Sequence, residues 1–97
     1  MEVFFICLFL EMSFTTYIIY SQTLDRYYIG STEDINERLI RHNNGNGSTY
    51  TKKAKDWELK WKREHETRAD AMSLEFSIKK KKSRKYIEYL ISKSNLE

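Results

Sequence analysis

The feature that most constrains the fold is a pair of β-forming segments separated by only six residues. The first, FTTYIIY (Phe14 to Tyr20), is rich in β-branched and aromatic residues, as strands are. The connection SQTLDR has the composition of a turn, and the YYIG that follows, Tyr27 to Gly30, again favours a strand. Two strands with so short a link are expected to pair as an antiparallel hairpin.

A helix is predicted directly after the hairpin. Thr32 or Asp34 can cap it, and it should run from about Ile35 to His42 before the glycine- and asparagine-rich NNGNGS ends it. Its core-facing contacts are expected from three apolar residues, which are Ile35, Leu39 and Ile40.

The segment WELKWKREHE, Trp57 to Glu66, alternates apolar and charged residues and predicts a third strand. Its apolar members, Trp57, Leu59 and Trp61, are expected on one side of that strand.

Two further helices should follow. Thr67 can cap a helix whose core-facing residues are Ala71, Leu74 and Ile78, with Met72 and Phe76 flanking them. Ser83 can cap a last helix with an apolar stripe of Tyr86, Ile87, Leu90 and Ile91. The predicted fold is therefore α+β, with a small three-stranded antiparallel sheet flanked by helices in the order β-β-α-β-α-α.

A chain of 97 residues has room for one domain with a modest core. We expect that domain over 14–92, with a poorly defined extension over 1–13 and a tail over 93–97. Met12 could open the natural chain, which would make the preceding residues a false start. The eight-residue apolar run VFFICLFL in the extension is too short to cross a bilayer, so no membrane association is expected.

The net charge of +3 conceals a local excess of cations. KKKKSRK, Lys79 to Lys85, holds six cations in seven residues, which favours a polyanionic partner, nucleic acid before membrane. The alternative is a solvated helix end whose cations complement the helix dipole. Cys7 is the single cysteine, which excludes an internal disulfide and favours a reducing, cytoplasmic location.

A few polar residues could support chemistry. Arg38 and His42 are four residues apart, so they share a helix face close to Tyr28, and Glu75 lies in an apolar helical segment. Each also has an ordinary structural interpretation, such as a tyrosine packed at the rim of the core or a glutamate paired with Lys79. The sequence contains no phosphate-binding glycine loop, and its two histidines are too isolated for a zinc site.

Tyr17 is followed by Tyr28-Ile29-Gly30, then by Arg38 and His42, and Glu75 comes on a later helix. This spacing resembles that of the GIY-YIG endonuclease domain, the nuclease module of the UvrC excision-repair protein. Segments such as ERLIRHN and YTKKAKDWELKW are most similar to the small stand-alone bacterial branch of that family, and the resemblance covers Phe14 to Ile91. The first motif, Thr15-Thr16-Tyr17, keeps only its tyrosine, and the polar residue that larger members carry after the last helix has no clear counterpart.

The resemblance implies a metal-dependent endonuclease acting on DNA, with branched or structured DNA among the candidate substrates. Tyr28 would be the general base, Arg38 the phosphate clamp, and Glu75 the ligand of a single Mg²⁺ or Mn²⁺ completed by substrate. Tyr17 would hydrogen-bond within the site, and His42 would orient Tyr28 or contact phosphate. Backbone affinity would come from basic residues, which are Lys52, Lys53, Lys79, Lys80, Lys81, Lys82, Arg84 and Lys85.

Two other interpretations stay open at this point. The domain could be a nucleic-acid-binding module of the same fold without turnover, serving DNA repair or a mobile element. It could also be a protein-interaction domain. Because we expect no attached specificity domain, either nucleic-acid interpretation implies a homodimer, a protein partner or low selectivity.

Overall fold

The computed structural model describes residues 13–95, except for the side chain of Asn95. The predicted order β-β-α-β-α-α is confirmed. The strands are β1 (Phe14–Ser21), β2 (Arg26–Thr32) and β3 (Trp57–His65), and the helices are α1 (Ile35–Asn43), α2 (Arg68–Lys81) and α3 (Arg84–Asn95), with a short 3₁₀ turn at Thr51–Lys53. Of the predicted N-terminal extension, all but Ser13 lies outside the described residues, as do Leu96 and Glu97 of the predicted tail.

The sheet is antiparallel with the strand order β2-β1-β3, so the first strand is central. Residues Thr15 to Ile19 are buried because helices cover both faces of this strand. In the hairpin, Tyr17 pairs with Gly30 and Ile19 pairs with Tyr28. The predicted hairpin is therefore present, and its register puts Tyr17 and Tyr28 on one face of the sheet.

A bulge in the third strand corrects the prediction that its apolar residues share one side. Ile18 pairs with Trp61 and Ile19 pairs with Leu59, so β3 contains one extra residue between these two pairs. The extra residue reverses the alternation of side chains beyond it. Trp57 therefore lies on one face of the sheet, and Trp61 lies on the other.

Two small cores result from this arrangement. The α1-side core consists of Tyr17, Ile19, Ala54 and Trp57, with Ile35 and Leu39 of helix α1 packed against it. The α2-side core consists of Ile18, Ile29, Trp61 and Ile78, with side chains from helices α2 and α3 around it. Each face of the sheet thus receives one of the two tryptophans.

Helix α1 begins after Asp34, whose carboxylate accepts a hydrogen bond from the Glu37 N–H at 3.0 Å. The prediction that Ile40 faces the core is wrong, because this side chain is 63% exposed. At about 100° per residue, positions 35, 39 and 42 lie close together on one face, whereas position 40 points away from it. His42, 1% exposed, takes the third inward position.

The caps predicted for the later helices are confirmed. The Thr67 hydroxyl accepts from the Asp70 N–H and the Ser83 hydroxyl accepts from the Tyr86 N–H, each at 3.1 Å. The predicted inward residues Ala71, Leu74 and Ile78 are buried or half-buried. No helix in the described range 13–95 has the length and apolar character needed to cross a membrane.

Candidate active site

Tyr17 lies at the centre of the candidate site. Its hydroxyl is 2.9 Å from His42 Nε2, and the ring is 1% exposed. Its neighbour across the hairpin is Gly30, where an added Cβ would lie 2.5 Å from the Tyr17 oxygen. The glycine of the YIG segment is therefore required for the Tyr17 side chain to approach the backbone of strand β2 so closely.

Both ring nitrogens of His42 are engaged. Nε2 faces Tyr17, and Nδ1 is 2.7 Å from the Thr51 hydroxyl. Burial, together with the positive charges of Arg38 and Arg41, lowers the pKa of His42 to about 4. His42 is therefore neutral near pH 7 and buried, and it meets Tyr28 only through an edge contact with a ring separation of 5.2 Å.

Gly47 allows the loop after helix α1 to close over His42. A Cβ at this position would overlap Nδ1 of His42 and lie 2.7 Å from the Thr51 hydroxyl. The glycine-rich segment is therefore a packed part of the site rather than only a helix terminator.

Three predicted site residues surround Tyr17. Burial raises the pKa of the Tyr17 hydroxyl. Electrostatic interactions with Tyr28 and Glu75 raise this pKa further, whereas the Arg38 guanidinium lowers it. Tyr17 is accordingly protonated at neutral pH. These opposing effects also show that Tyr28, Arg38 and Glu75 all lie within electrostatic range of one hydroxyl.

Arg38 brings an unsatisfied donor to this site. Its Nε is buried and has no hydrogen-bond partner within residues 13–95. A buried guanidinium N–H without an acceptor is costly, and a phosphate oxygen is an acceptor of suitable geometry for it.

Glu75 reaches the site from helix α2. Its carboxylate accepts from the Ser31 hydroxyl at 2.8 Å and from Lys79 Nζ at 2.6 Å, and its side chain is 20% exposed. The same Lys79 Nζ lies 5.9 Å from the centre of the Tyr28 ring. Lys79 thus connects Glu75 with Tyr28, although the two residues are 47 positions apart in the chain.

Comparison with known proteins identifies the protein family in which this arrangement of residues occurs. A family model described as the GIY-YIG catalytic domain matches residues 13–87, which is most of the chain. The chain belongs to the GIY-YIG nuclease family. The resemblance inferred from Tyr17, the YIG segment, Arg38, His42 and Glu75 is confirmed at this level.

The chain is also similar to bacterial proteins that carry the name UPF0213. A UPF0213 protein of Pediococcus acidilactici is 34% identical over 84 residues, which cover 82% of this chain and 83% of the relative. A UPF0213 protein of Staphylococcus epidermidis is 40% identical over 52 residues, and that match spans 54% of this chain and 63% of the relative. The solution NMR structure of a UPF0213 protein from Bacillus halodurans shares 28% identity and superposes with a TM-score of 0.51, with 84% of each chain covered.

Glu75 is the carboxylate that the described residues of this GIY-YIG domain bring near Tyr17. Within residues 13–95, no group of three or more His, Cys, Asp or Glu side chains gathers closely enough to hold an ion. Glu75, with the Ser31 hydroxyl beside it, fits a hard divalent cation that takes most of its oxygen ligands from water and substrate phosphate. Such an ion would have to displace the ammonium of Lys79 from the carboxylate.

The predicted basic residues occupy different surroundings. Lys53 lies over the Tyr50 ring and Lys81 lies over the Tyr86 ring. Arg84 pairs with Asp25 and Glu88, so it links helix α3 to the hairpin turn. In the described part of the chain, six exposed lysines of the predicted set have no salt-bridge partner, and these are Lys52, Lys53, Lys80, Lys81, Lys82 and Lys85.

Sequence reasoning did not find Ser31, Tyr50 or Thr51. Ser31 directly follows the YIG segment, which was a usable signal. Tyr50 stacks near Tyr28 at 6.1 Å, and Thr51 holds His42. Nothing in the local pattern around Tyr50 and Thr51 pointed to these contacts, because they arise where the loop folds back on helix α1.

Proposed function

We propose that this GIY-YIG domain is a metal-dependent endonuclease that hydrolyses phosphodiester bonds in DNA. The observation that carries the proposal is the convergence of Tyr28, Arg38 and Glu75 on the surroundings of Tyr17. A phenol, a guanidinium and a carboxylate from three elements match the needs of phosphodiester hydrolysis, which are a base, a phosphate clamp and a site for a cation.

Arg38 is the proposed phosphate clamp. Its buried Nε lacks an acceptor, and a guanidinium can donate two parallel hydrogen bonds to phosphate oxygens. Substrate binding would therefore satisfy a donor that residues 13–95 leave unpaired.

Tyr28 is the proposed general base for the attacking water. It is half-buried, and its ring is surrounded by His42, Tyr50 and Lys79. Tyr17 and His42 would hold the floor of the site through their mutual hydrogen bond.

Glu75 is the proposed ligand of one Mg²⁺ or Mn²⁺. When bound, the ion would supply Lewis-acid stabilisation of the departing 3′ oxygen. With one carboxylate available, affinity for the ion in the absence of DNA should be low. Ser31 would keep the carboxylate oriented when Lys79 is displaced.

The second candidate is a nucleic-acid-binding module of the same fold without turnover. The 2.6 Å contact between Lys79 and Glu75 favours this candidate, because it neutralises the one carboxylate the site offers. The exposed lysines would bind the phosphate backbone in either case. Cleavage in the presence of metal distinguishes the two candidates, and salt-dependent DNA binding without cleavage would favour the second.

The choice of DNA substrate is expected to depend on shape rather than sequence. The basic residues are suited to phosphate contacts, which position a protein without reading bases. A second copy of the chain or a protein partner would then supply selectivity, and a role in DNA repair remains a prediction. We also expect the cytoplasm as its location.

The decisive experiment compares wild type with Glu75→Gln and Arg38→Ala on supercoiled plasmid and branched oligonucleotides, with Mg²⁺ or Mn²⁺. Both variants should lose at least about 100-fold in rate, since each removes charge stabilisation of the transition state. Glu88→Gln is the matched control, because Glu88 is an exposed carboxylate paired with Arg84. Circular dichroism verifies folding. If none of the four proteins cleaves any of the substrates, the enzymatic proposal is refuted.

A further inference from the structure

The hydrogen bonds around His42 indicate which of its two ring nitrogens carries the hydrogen. A neutral imidazole has one N–H donor and one acceptor nitrogen, and the partner of each decides which is which. At neutral pH His42 is neutral, and its partners are the hydroxyls of Tyr17 and Thr51. Each hydroxyl can donate or accept, so the surrounding bonds must resolve the choice.

Thr51 is held independently of His42. Its carbonyl oxygen accepts from Trp57 Nε1 at 2.8 Å, and the residue is fully buried. Its hydroxyl oxygen accepts from the Ser48 N–H at 2.9 Å, while the Ser48 hydroxyl accepts from the Thr51 N–H at 3.0 Å. The Thr51 hydroxyl therefore stays in place whichever way its hydrogen points.

The nearest acceptor for the Thr51 hydrogen is His42 Nδ1 at 2.7 Å, whereas Ser48 offers its hydroxyl at 3.1 Å and its carbonyl at 3.4 Å. Hydrogen bonds donated by O–H are typically about 2.7–2.8 Å long and those donated by N–H about 2.9–3.0 Å. The 2.7 Å contact thus fits a Thr51 O–H donor. The 2.9 Å contact between His42 and Tyr17 fits an Nε2–H donor.

We propose that Thr51 is a positioning residue that fixes His42 as the Nε2–H tautomer. The Tyr17 hydroxyl then accepts from His42, and its own hydrogen can be donated to the substrate. Arg38 beside Tyr17 is only a donor and cannot accept the Tyr17 hydrogen. The hydroxyl hydrogen is therefore available to a phosphoryl oxygen or a water bound over the ring.

In the opposite tautomer, Tyr17 would donate its hydrogen to His42 and offer only a lone pair to the substrate. A phosphate group bears only acceptors, so that orientation would repel it. The last step, in which Tyr17 donates its hydrogen to the substrate, rests on the proposed nuclease function. The assignment of the His42 tautomer does not depend on that function.

The test is long-range ¹H–¹⁵N NMR of histidine-labelled protein near pH 7. A His65→Gln background leaves His42 as the single histidine signal. The expected spectrum has a pyridine-type Nδ1 and a pyrrole-type Nε2. Thr51→Val should abolish this preference and Thr51→Ser should keep it. Ser48→Ala, which loosens the same turn without touching His42, should also keep it.

The functional step is tested by kinetics on the same variants. Thr51→Val should lower kcat by about tenfold with KM nearly unchanged, as loss of one oriented hydrogen bond predicts, and Thr51→Ser should restore it. A protonated Nδ1 in the wild type would overturn the proposal. So would a Thr51→Val protein that loses the tautomer preference but keeps full kcat. If no variant or wild type cleaves DNA, the nuclease proposal fails, and the NMR result alone decides whether Thr51 sets the tautomer.

Discussion

The Ser31 hydroxyl donates a 2.8 Å hydrogen bond to the carboxylate of Glu75 and so joins strand β2 to helix α2. Ser31 lies three residues after Tyr28 on that strand, and Glu75 lies one helical turn before Lys79. The bond holds the carboxylate at the edge of the sheet where Lys79 also approaches Tyr28. The proposed metal ligand and the proposed base are therefore linked through one lysine.

Replacing Lys79 with Gln should make the metal easier to bind. Lys79 Nζ contacts Glu75 at 2.6 Å, so an incoming cation must displace a bound ammonium. We expect the Mn²⁺ concentration for half-maximal cleavage to fall about threefold or more, as the loss of a modest ion-pair competitor predicts. Lys80→Gln is the matched control, since it removes the same charge from the next helix position. An unchanged or increased metal requirement in Lys79→Gln would contradict the displacement model.

Gly30→Ala should destabilise the protein by about 1–3 kcal/mol, the usual cost of overpacking a filled site. The new Cβ would lie 2.5 Å from the Tyr17 oxygen and 2.7 Å from the ring carbon that bears it. Urea denaturation measures the decrease in stability. In a double-mutant cycle, Tyr17→Phe should recover part of it, because the oxygen contact disappears while the ring contact remains. If the effects of Gly30→Ala and Tyr17→Phe on the free energy of unfolding are fully additive, the steric explanation is wrong.

Stability should fall as the pH is lowered from about 7 to 4.5. The pKa of His42 is about 4 in the folded protein, against about 6.5 in the unfolded chain, so the unfolded chain binds more protons in this window. The neutral ring's contribution is complete above about pH 6.5, and about 1–2 kcal/mol of it should be lost by about pH 4.5. Urea midpoints at several pH values measure it.

Two comparisons show whether the pH dependence of stability comes from His42. His42→Gln should flatten the dependence on pH in the same window. Asp56, whose pKa is lowered to about 2 by its hydrogen bond from Ser21, stabilises the fold above the unfolded value of about 3.9 and loses that effect only at lower pH. A slope that persists unchanged in His42→Gln would assign the effect to other groups.

The exposed lysines should dominate the salt dependence of DNA binding. Replacing Lys80, Lys82 and Lys85 together with Gln should reduce the slope of log affinity against log salt by about 2–3, about one unit for each phosphate that the variant no longer neutralises. Arg84→Gln should change the slope less, because Arg84 is already paired with Asp25 and Glu88. Fluorescence polarisation with a labelled duplex gives both slopes. Equal slopes for the triple variant and wild type would exclude this cluster as the DNA-binding surface.

Local patterns were sufficient for the elements and their caps. The β-branched and aromatic residues of FTTYIIY, the turn composition of SQTLDR and the capping residues Thr67 and Ser83 act over a few neighbouring residues, and each was correctly interpreted. The same patterns failed at Ile40, where an apolar residue lies on the outer helix face while His42 lies inside. A buried polar residue is acceptable there because both its nitrogens find partners.

The sequence by itself determined the hairpin, the helix order and the family, because these depend on residue type and short-range spacing. Only the tertiary structure decided that Trp57 and Trp61 face opposite sides of the sheet, since one extra residue in a strand reverses every later side chain. It likewise decided that Thr51 and Ser31 hold His42 and Glu75. Hydrogen bonds between residues far apart in the chain exist only after packing brings the groups within about 3 Å, and no local pattern encodes that distance.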